Sequence, residues 1–285
     1  MDGPLFSDSF LQKIERLSLI ARRDRGSGAV RGDRKGGKLE FADHRPYSPG
    51  DDLRYADWHL YGRMGKLFIK EFAREEEAEV ILFLDLSGSM AGKLRGAIRL
   101  AAALVAIALA RGDRVALGFM VDGDLTLTRA VEGAGRRAEL FARLAQAEGR
   151  AEGTTDLDSS LGRLPPRRGA GRRLSIVISD LLADRDGRRR MARWGEDVVV
   201  FHWLSADEIS PGVLGKVTLR SVEGGQLAVF VGPHEAARYE QEMAKHLEGL
   251  SRHFAHTGGR YLLAPAEMPA EDLVLEVLTR EGILQ

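Results

Sequence analysis

"VILFLDLSGSM", Val80 to Met90, opens as an unbroken apolar run and stops abruptly in Asp85, Ser87 and Ser89. A continuous apolar run, in place of alternation, is the pattern of a strand buried on both faces, as strands of a parallel sheet are. Working outward, Lys93 to Ala110 is rich in Ala and Leu and predicts a helix closed at Gly112. "RVALGFMV" (Arg114 to Val121) predicts a strand, Asp122 to Asp124 a hairpin turn into "LTLTRAV", and Arg136 to Gln146 a helix. "RLSIVISD" (Arg173 to Asp180) is a second buried strand ending in a carboxylate. Ala183 to Trp194 reads as a crossover helix leading to the strand "DVVVFHWL", Asp197 to Leu204. A hairpin around Glu223-Gly224-Gly225 is expected within Lys216 to Gly232. A helix then runs from His234 to about Thr257, a short strand from Tyr261 to Leu263 and a last helix from Ala270 to Arg280. Strands joined by helices of this length cross over right-handedly, so the fold class is α/β: a Rossmann-like, mostly parallel sheet with helices on both faces.

The bulk composition suits a globular protein: of 285 residues, 44% are hydrophobic and 29% charged. Lys+Arg 42 against Asp+Glu 42 leaves no net field to draw the chain to nucleic acid or anionic lipid. There are no cysteines, which excludes disulfides, thiolate metal sites and a cysteine nucleophile. The N-terminus lacks a signal-peptide pattern, and the longest apolar stretch, Leu100 to Ala110, is too short to span a bilayer. A cytoplasmic protein without membrane insertion is therefore expected. The first 77 residues differ in character and read as an extension preceding a domain over 78–285. A short amphipathic helix, Ser7 to Arg22, precedes a Gly/Arg-rich segment, Arg22 to Lys38, that holds seven basic and two acidic residues. With no aromatic residue interleaved to stack on bases, that segment reads as solvated charge, with nucleic-acid binding kept as an alternative.

In an open parallel sheet, ligands bind beyond the carboxyl ends of the strands. Asp85, Ser87 and Ser89 are expected there, with Asp180 ending a neighbouring strand and Thr154, Thr155 and Asp156 in the polar loop "GTTDL". Carboxylate and hydroxyl oxygens suit a hard divalent cation, Mg²⁺ or alternatively Ca²⁺ or Mn²⁺, and not zinc. A simpler account has Ser87 or Ser89 capping the following helix.

Asp85-x-Ser87-x-Ser89 with a downstream Thr and a later Asp resembles the metal-ion-dependent adhesion site of von Willebrand factor type A domains. That resemblance implies metal coordination by Ser87, Ser89 and Thr155, with Asp85 and Asp180 acting through water or hydrogen bonds. A partner protein's Asp or Glu would complete the shell. Matching "GTT" to the Gly-Gly-Thr pattern selects Thr155, while Thr154 occupies the second glycine position.

"RPYSPGDDLRYADWHLYGRMGKLFIKEF", Arg45 to Phe72, is similar to the signature of domain-of-unknown-function family 58, whose members place it before a von Willebrand-like domain. The resemblance implies work beside an AAA+ ATPase of the MoxR type, in the maturation of other proteins. Many members carry N-terminal membrane segments, which this sequence does not show. The six aromatics of the segment, Tyr47 to Phe72, are expected to pack on the domain, with docking of a partner as the alternative.

Ten arginines between Arg163 and Arg193 read as a solvated face. "DLSGS" resembles the nucleophile motif of haloacid-dehalogenase phosphatases but has Ser87 where a second Asp is required. No serine–histidine, paired-carboxylate or phosphate-loop arrangement emerges, so binding without catalysis is expected, and a metal-dependent hydrolase is the alternative.

Overall fold

The computed structural model describes residues 3–24, 39–74, 79–154, 156–166, 173–182, 186–212, 215–220 and 226–280. Its centre is a six-stranded sheet built from β3 (Glu79–Asp85), β4 (Arg114–Val121), β5 (Asp124–Leu127), β6 (Arg173–Ser179), β7 (Val198–Leu204) and β10 (Arg260–Pro265). The order is β10-β7-β6-β3-β4-β5, parallel throughout except where β5 returns beside β4 through the tight turn at Asp122 and Gly123. Two separate antiparallel pairs complete the strands: β1 (Leu39–Pro46) with β2 (Phe68–Arg74), before β3, and β8 (Gly215–Arg220) with β9 (Gln226–Val231), between β7 and β10 in the chain. The second pair is the expected hairpin; its turn, Glu223 to Gly225, lies outside the described residues.

Alternate residues of β3 divide the core in two. Val80, Leu82 and Leu84 face α3 (Leu94–Arg111), α4 (Arg137–Ala145) and α9 (Ala270–Arg280). Helix α1 (Asp8–Asp24) adds Phe10, Ile14, Leu17 and Ala21 to that same layer, at the 4-3-4 spacing of one helical face. Ile81 and Phe83 point the other way, into α5 (Leu157–Gly162), α6 (Arg188–Met191) and α8 (Pro233–Thr257). A strand covered on both sides has no polar face to alternate, which is why Val80 to Leu84 is continuously apolar. The remaining helices are short: α2 (Trp58–Met64) lies between β1 and β2, and α7 (Ala206–Ile209) follows β7.

Two expectations need correction. The crossover helix over Ala183 to Trp194 is reduced to α6 and a 3₁₀ stretch, Ala192–Asp197; residues 183–185 lie outside the described residues. Gly187 adopts φ 70°, and Asp186 accepts a hydrogen bond from Arg188 N at 3.0 Å, so the chain starts a new short helix there. The strand expected through "LTLTRAV" ends at Leu127, because Thr128 Oγ1 takes the Leu117 N–H at 2.9 Å and closes the ladder; Val131 rejoins only by a bridge to Val115.

Candidate metal centre

The parallel register sets β3 and β6 side by side with Leu84 opposite Ile178, so that Asp85 and Asp180 leave adjacent strands at the same end of the sheet. Both are buried, Asp85 at 1% and Asp180 at 0% exposure. Both oxygens of Asp85 are used: Ser87 N donates to Oδ1 at 2.9 Å and Ser179 Oγ to Oδ2 at 2.6 Å. Burial foremost, and then the neighbouring Asp180 charge, push the Asp85 carboxyl up to about 6 against those two hydrogen bonds.

Neither serine of the motif caps a helix. Ser87 precedes a 3₁₀ turn, Gly88–Met90, without a capping bond from its side chain, and α3 begins after Lys93. The Ser87 and Ser89 hydroxyls lie 3.1 Å apart, facing each other. The capping account therefore fails, and two hydroxyls remain grouped beside two carboxylates.

The loop 152–154 is fastened to this end of the sheet. Glu152 N donates to Leu86 O at 3.0 Å, Gly88 N to Gly153 O at 3.1 Å, and Thr154 N to Asp122 Oδ1 at 2.6 Å. Thr155 lies outside the described residues, while Asp156, next to it, caps α5 through Ser159 N at 2.9 Å. Among the described residues, no three His, Cys, Asp or Glu side chains converge as a metal-binding group. The oxygens brought together are two carboxylates and two hydroxyls.

Asp180 is the least satisfied member. Its Oδ2 is fully buried and lies 3.1 Å from Lys93 Nζ, yet accepts no hydrogen bond of acceptable geometry; its Oδ1 has only the Leu182 N–H at 3.4 Å. The next residue, Leu181, is a buried leucine held at φ 48°, a left-handed conformation unfavourable to a large side chain. Such strain persists where surrounding contacts impose it, commonly beside functional groups. A buried carboxylate oxygen without a hydrogen bond, strained backbone beside it and two paired hydroxyls are a donor set that fits a hard cation.

Five participants escape sequence reasoning. Ser179 orients Asp85. His202 Nε2 donates to the Asp180 carbonyl at 2.5 Å and its Nδ1 accepts from Tyr261 Oη at 2.6 Å, so both ring nitrogens are engaged. Burial holds His202 down to about 4, which keeps it neutral. Lys93 is buried, and its ammonium is shared between Asp180 and Glu208. Of these, only Lys93 carries a sequence signal: a cation at the start of a helix opposes the helix dipole and requires compensation.

The signature segment has the opposite character. Asp51 forms paired bonds with Arg45 at 2.6 Å, Asp52 pairs with Arg54, and Asp57 caps α2 while meeting Lys70 and His44. Its three aspartates are thus neutralised by nearby cations, as expected. Three of its aromatics are not packed as expected, since Trp58 is 60% exposed and Tyr55 and Tyr61 are also exposed, while Tyr47 and Phe68 are half-buried and the side chain of Phe72 lies outside the described residues. Leu53 and Met64 extend the exposed apolar set. Trp58 and Tyr61 contact each other edge-on, at 6.2 Å between centroids. Among the described residues, no helix is long and apolar enough to cross a membrane.

The chain is similar to uncharacterized proteins of Mycobacterium bovis (Mb1516) and Mycobacterium tuberculosis (Rv1480). Each is 25% identical over 227 residues, covering 75% of this chain and 70% of the relative. Among solved structures, a conserved hypothetical protein, BatB, from Bacteroides thetaiotaomicron superposes with a TM-score of 0.46 at 18% identity, covering 72% of this chain and 98% of that one. An aerotolerance-related membrane protein from Bacteroides fragilis gives 0.41 at 18% identity, over 71% and 99%. A family model spans residues 43–248, taking in both the aromatic segment and the strand ends that carry Asp85 and Asp180. The chain therefore belongs to the family described as Protein of unknown function DUF58.

Proposed function

We propose that this chain is a protein-binding module of the von Willebrand factor A type, dependent on a divalent cation and acting without catalysis of its own. The observation that carries the proposal is the buried Asp180 Oδ2, which meets the Lys93 ammonium but accepts no hydrogen bond, beside Asp85 and the paired Ser87 and Ser89 hydroxyls, at the carboxyl ends of adjacent parallel strands. Ser87, Ser89 and Thr155 would hold Mg²⁺, Ca²⁺ or Mn²⁺, while Asp85 and Asp180 offset its charge. Bound there, the cation supplies a Lewis-acidic position for the Asp or Glu of a protein partner. The protein residues do the rest: Ser87 N and Ser179 fix Asp85, His202 fixes the Asp180 backbone, and the surrounding core excludes water.

The partner we propose is an AAA+ ATPase of the MoxR type, or a client delivered to one, in the cytoplasm. The domain over 78–285 would present the site, and the extension over 1–77 would carry the signature segment. Capture of the partner by immobilised protein should depend on Mg²⁺ and disappear in chelator and in Asp85→Ala. Equal capture in Mg²⁺ and in chelator contradicts the proposal.

A further inference from the structure

Lys93 stands at the N-cap of α3, where the unpaired amides of the first turn make a second positive charge unfavourable. Its side chain is nevertheless only 5% exposed. Its carbonyl accepts the Trp203 indole N–H at 3.1 Å, and a side chain at Gly96, one turn on, would collide with that indole at 2.7 Å. Both ends of the lysine are thus placed. Its ammonium reaches from the start of α3 to Asp180 at 3.1 Å and to Glu208 Oε1. Glu208 is held in turn by Ser205, whose N donates to Oε2 at 2.8 Å and whose Oγ donates to it at 3.1 Å.

The charges decide what the lysine does. Asp85, Asp180 and Glu208 bring three negative charges when ionised and Lys93 one positive charge, which leaves two negative charges, the complement of one divalent cation. The ammonium and an entering cation would compete for Asp180, because like charges sharing one carboxylate repel in a desolvated site. Glu208 gives the ammonium a second anion, so it need not leave the cluster. A cleft of about 710 Å³ lined by Ser89, Lys93, Ser205 and Glu208 opens beside that pair, which gives the ammonium room.

We infer that Lys93 is a tethered counter-cation. It holds Asp180 in place while the site has no metal, yields Asp180 to an entering divalent cation, and stays with Glu208. Lys93 and Glu208 therefore tune cation affinity in opposite directions as positioning residues and couple the site to the Ser205–Glu208 turn. This rests on the cation-binding function proposed above.

The test uses Mn²⁺ alone, titrated into the full chain and followed by the electron paramagnetic resonance signal of the free ion, with thermal unfolding in parallel. Lys93→Met should bind Mn²⁺ at least tenfold more tightly than wild type. It should also melt lower in chelator and gain more from Mn²⁺ than wild type does. Glu208→Gln leaves the ammonium with Asp180 only, and should weaken Mn²⁺ binding severalfold. If Lys93→Met does not fold in chelator, the sign of the Glu208→Gln effect decides alone. Mn²⁺ bound with equal affinity by all three proteins, or both variants shifting affinity the same way, overturns the role of Lys93 and leaves the cation site standing. An undiminished free-ion signal with all three proteins overturns the cation site and this inference together.

Discussion

The strand-end cluster and the signature segment invert the usual placement of polar and apolar groups. At the ends of β3 and β6, two carboxylates and a lysine are buried. In the segment around α2, large apolar side chains are left in water while every aspartate is paired. The difference teaches how each region is held. A buried charge persists only where neighbours on several elements restrain it, so the cluster depends on the whole sheet. The segment carries its own capping and ion pairs, so its side chains are placed locally and its apolar face stays available.

The largest contrast is between two tryptophans. Trp203 is fully buried against α3, whereas Trp58 is 60% exposed. Trp203→Ala should cost about 3–5 kcal/mol in urea denaturation, and Trp58→Ala within about 0.5 kcal/mol. Comparable losses would show that Trp58 packs against the rest of the chain and would remove the contrast.

A pH series sharpens it next. Asp85, raised to about 6, binds a proton in the folded state where the unfolded chain, at the ordinary 3.8, does not; its contribution falls as pH rises through that window. His202, lowered to about 4, does the reverse: the unfolded state takes the proton first, so stability falls as pH drops from about 6.5 to 4. In chelator the two nearly offset each other between pH 4 and 6. Asp85→Asn should expose the His202 slope and His202→Gln the Asp85 slope. The variants should diverge from wild type in opposite directions by roughly 1–2 kcal/mol. Asp51 of the signature segment, held at about 2 by Arg45, acts only below this window. Parallel pH profiles for the two variants would show that the cluster is not coupled to folding in this way.

The smallest effect is optical. The chain has three tryptophans, of which Trp203 is buried and Trp194 stacks on Phe83 at 5.8 Å. Trp58→Phe should remove most of the fluorescence that acrylamide quenches readily. A quenching curve unchanged by the substitution would place Trp58 under cover.

Much of this arrangement is legible in the sequence because its signals are local. Val80 to Leu84 and Ile176 to Ile178 announce buried parallel strands by unbroken apolarity, and Asp85 and Asp180 stand out at their ends. The partners that give those carboxylates their properties are remote. Glu208 is 115 residues from Lys93, and Ser179 is 94 from Asp85, so no local pattern links them. The helix expected over 183–194 is rich in helix-forming residues, and one left-handed glycine overrides them. The exposed aromatics escape the opposite way: apolarity implies burial only on average, and caps and ion pairs had already fixed the backbone of α2 without it.

The central claim is that the strand ends assemble a divalent-cation site, and isothermal titration of Mg²⁺ into chelator-treated protein tests it most directly. The account predicts a saturable heat in the wild type that Asp85→Ala abolishes while the variant remains folded. No saturable heat in the wild type, or the same isotherm in Asp85→Ala, would contradict it.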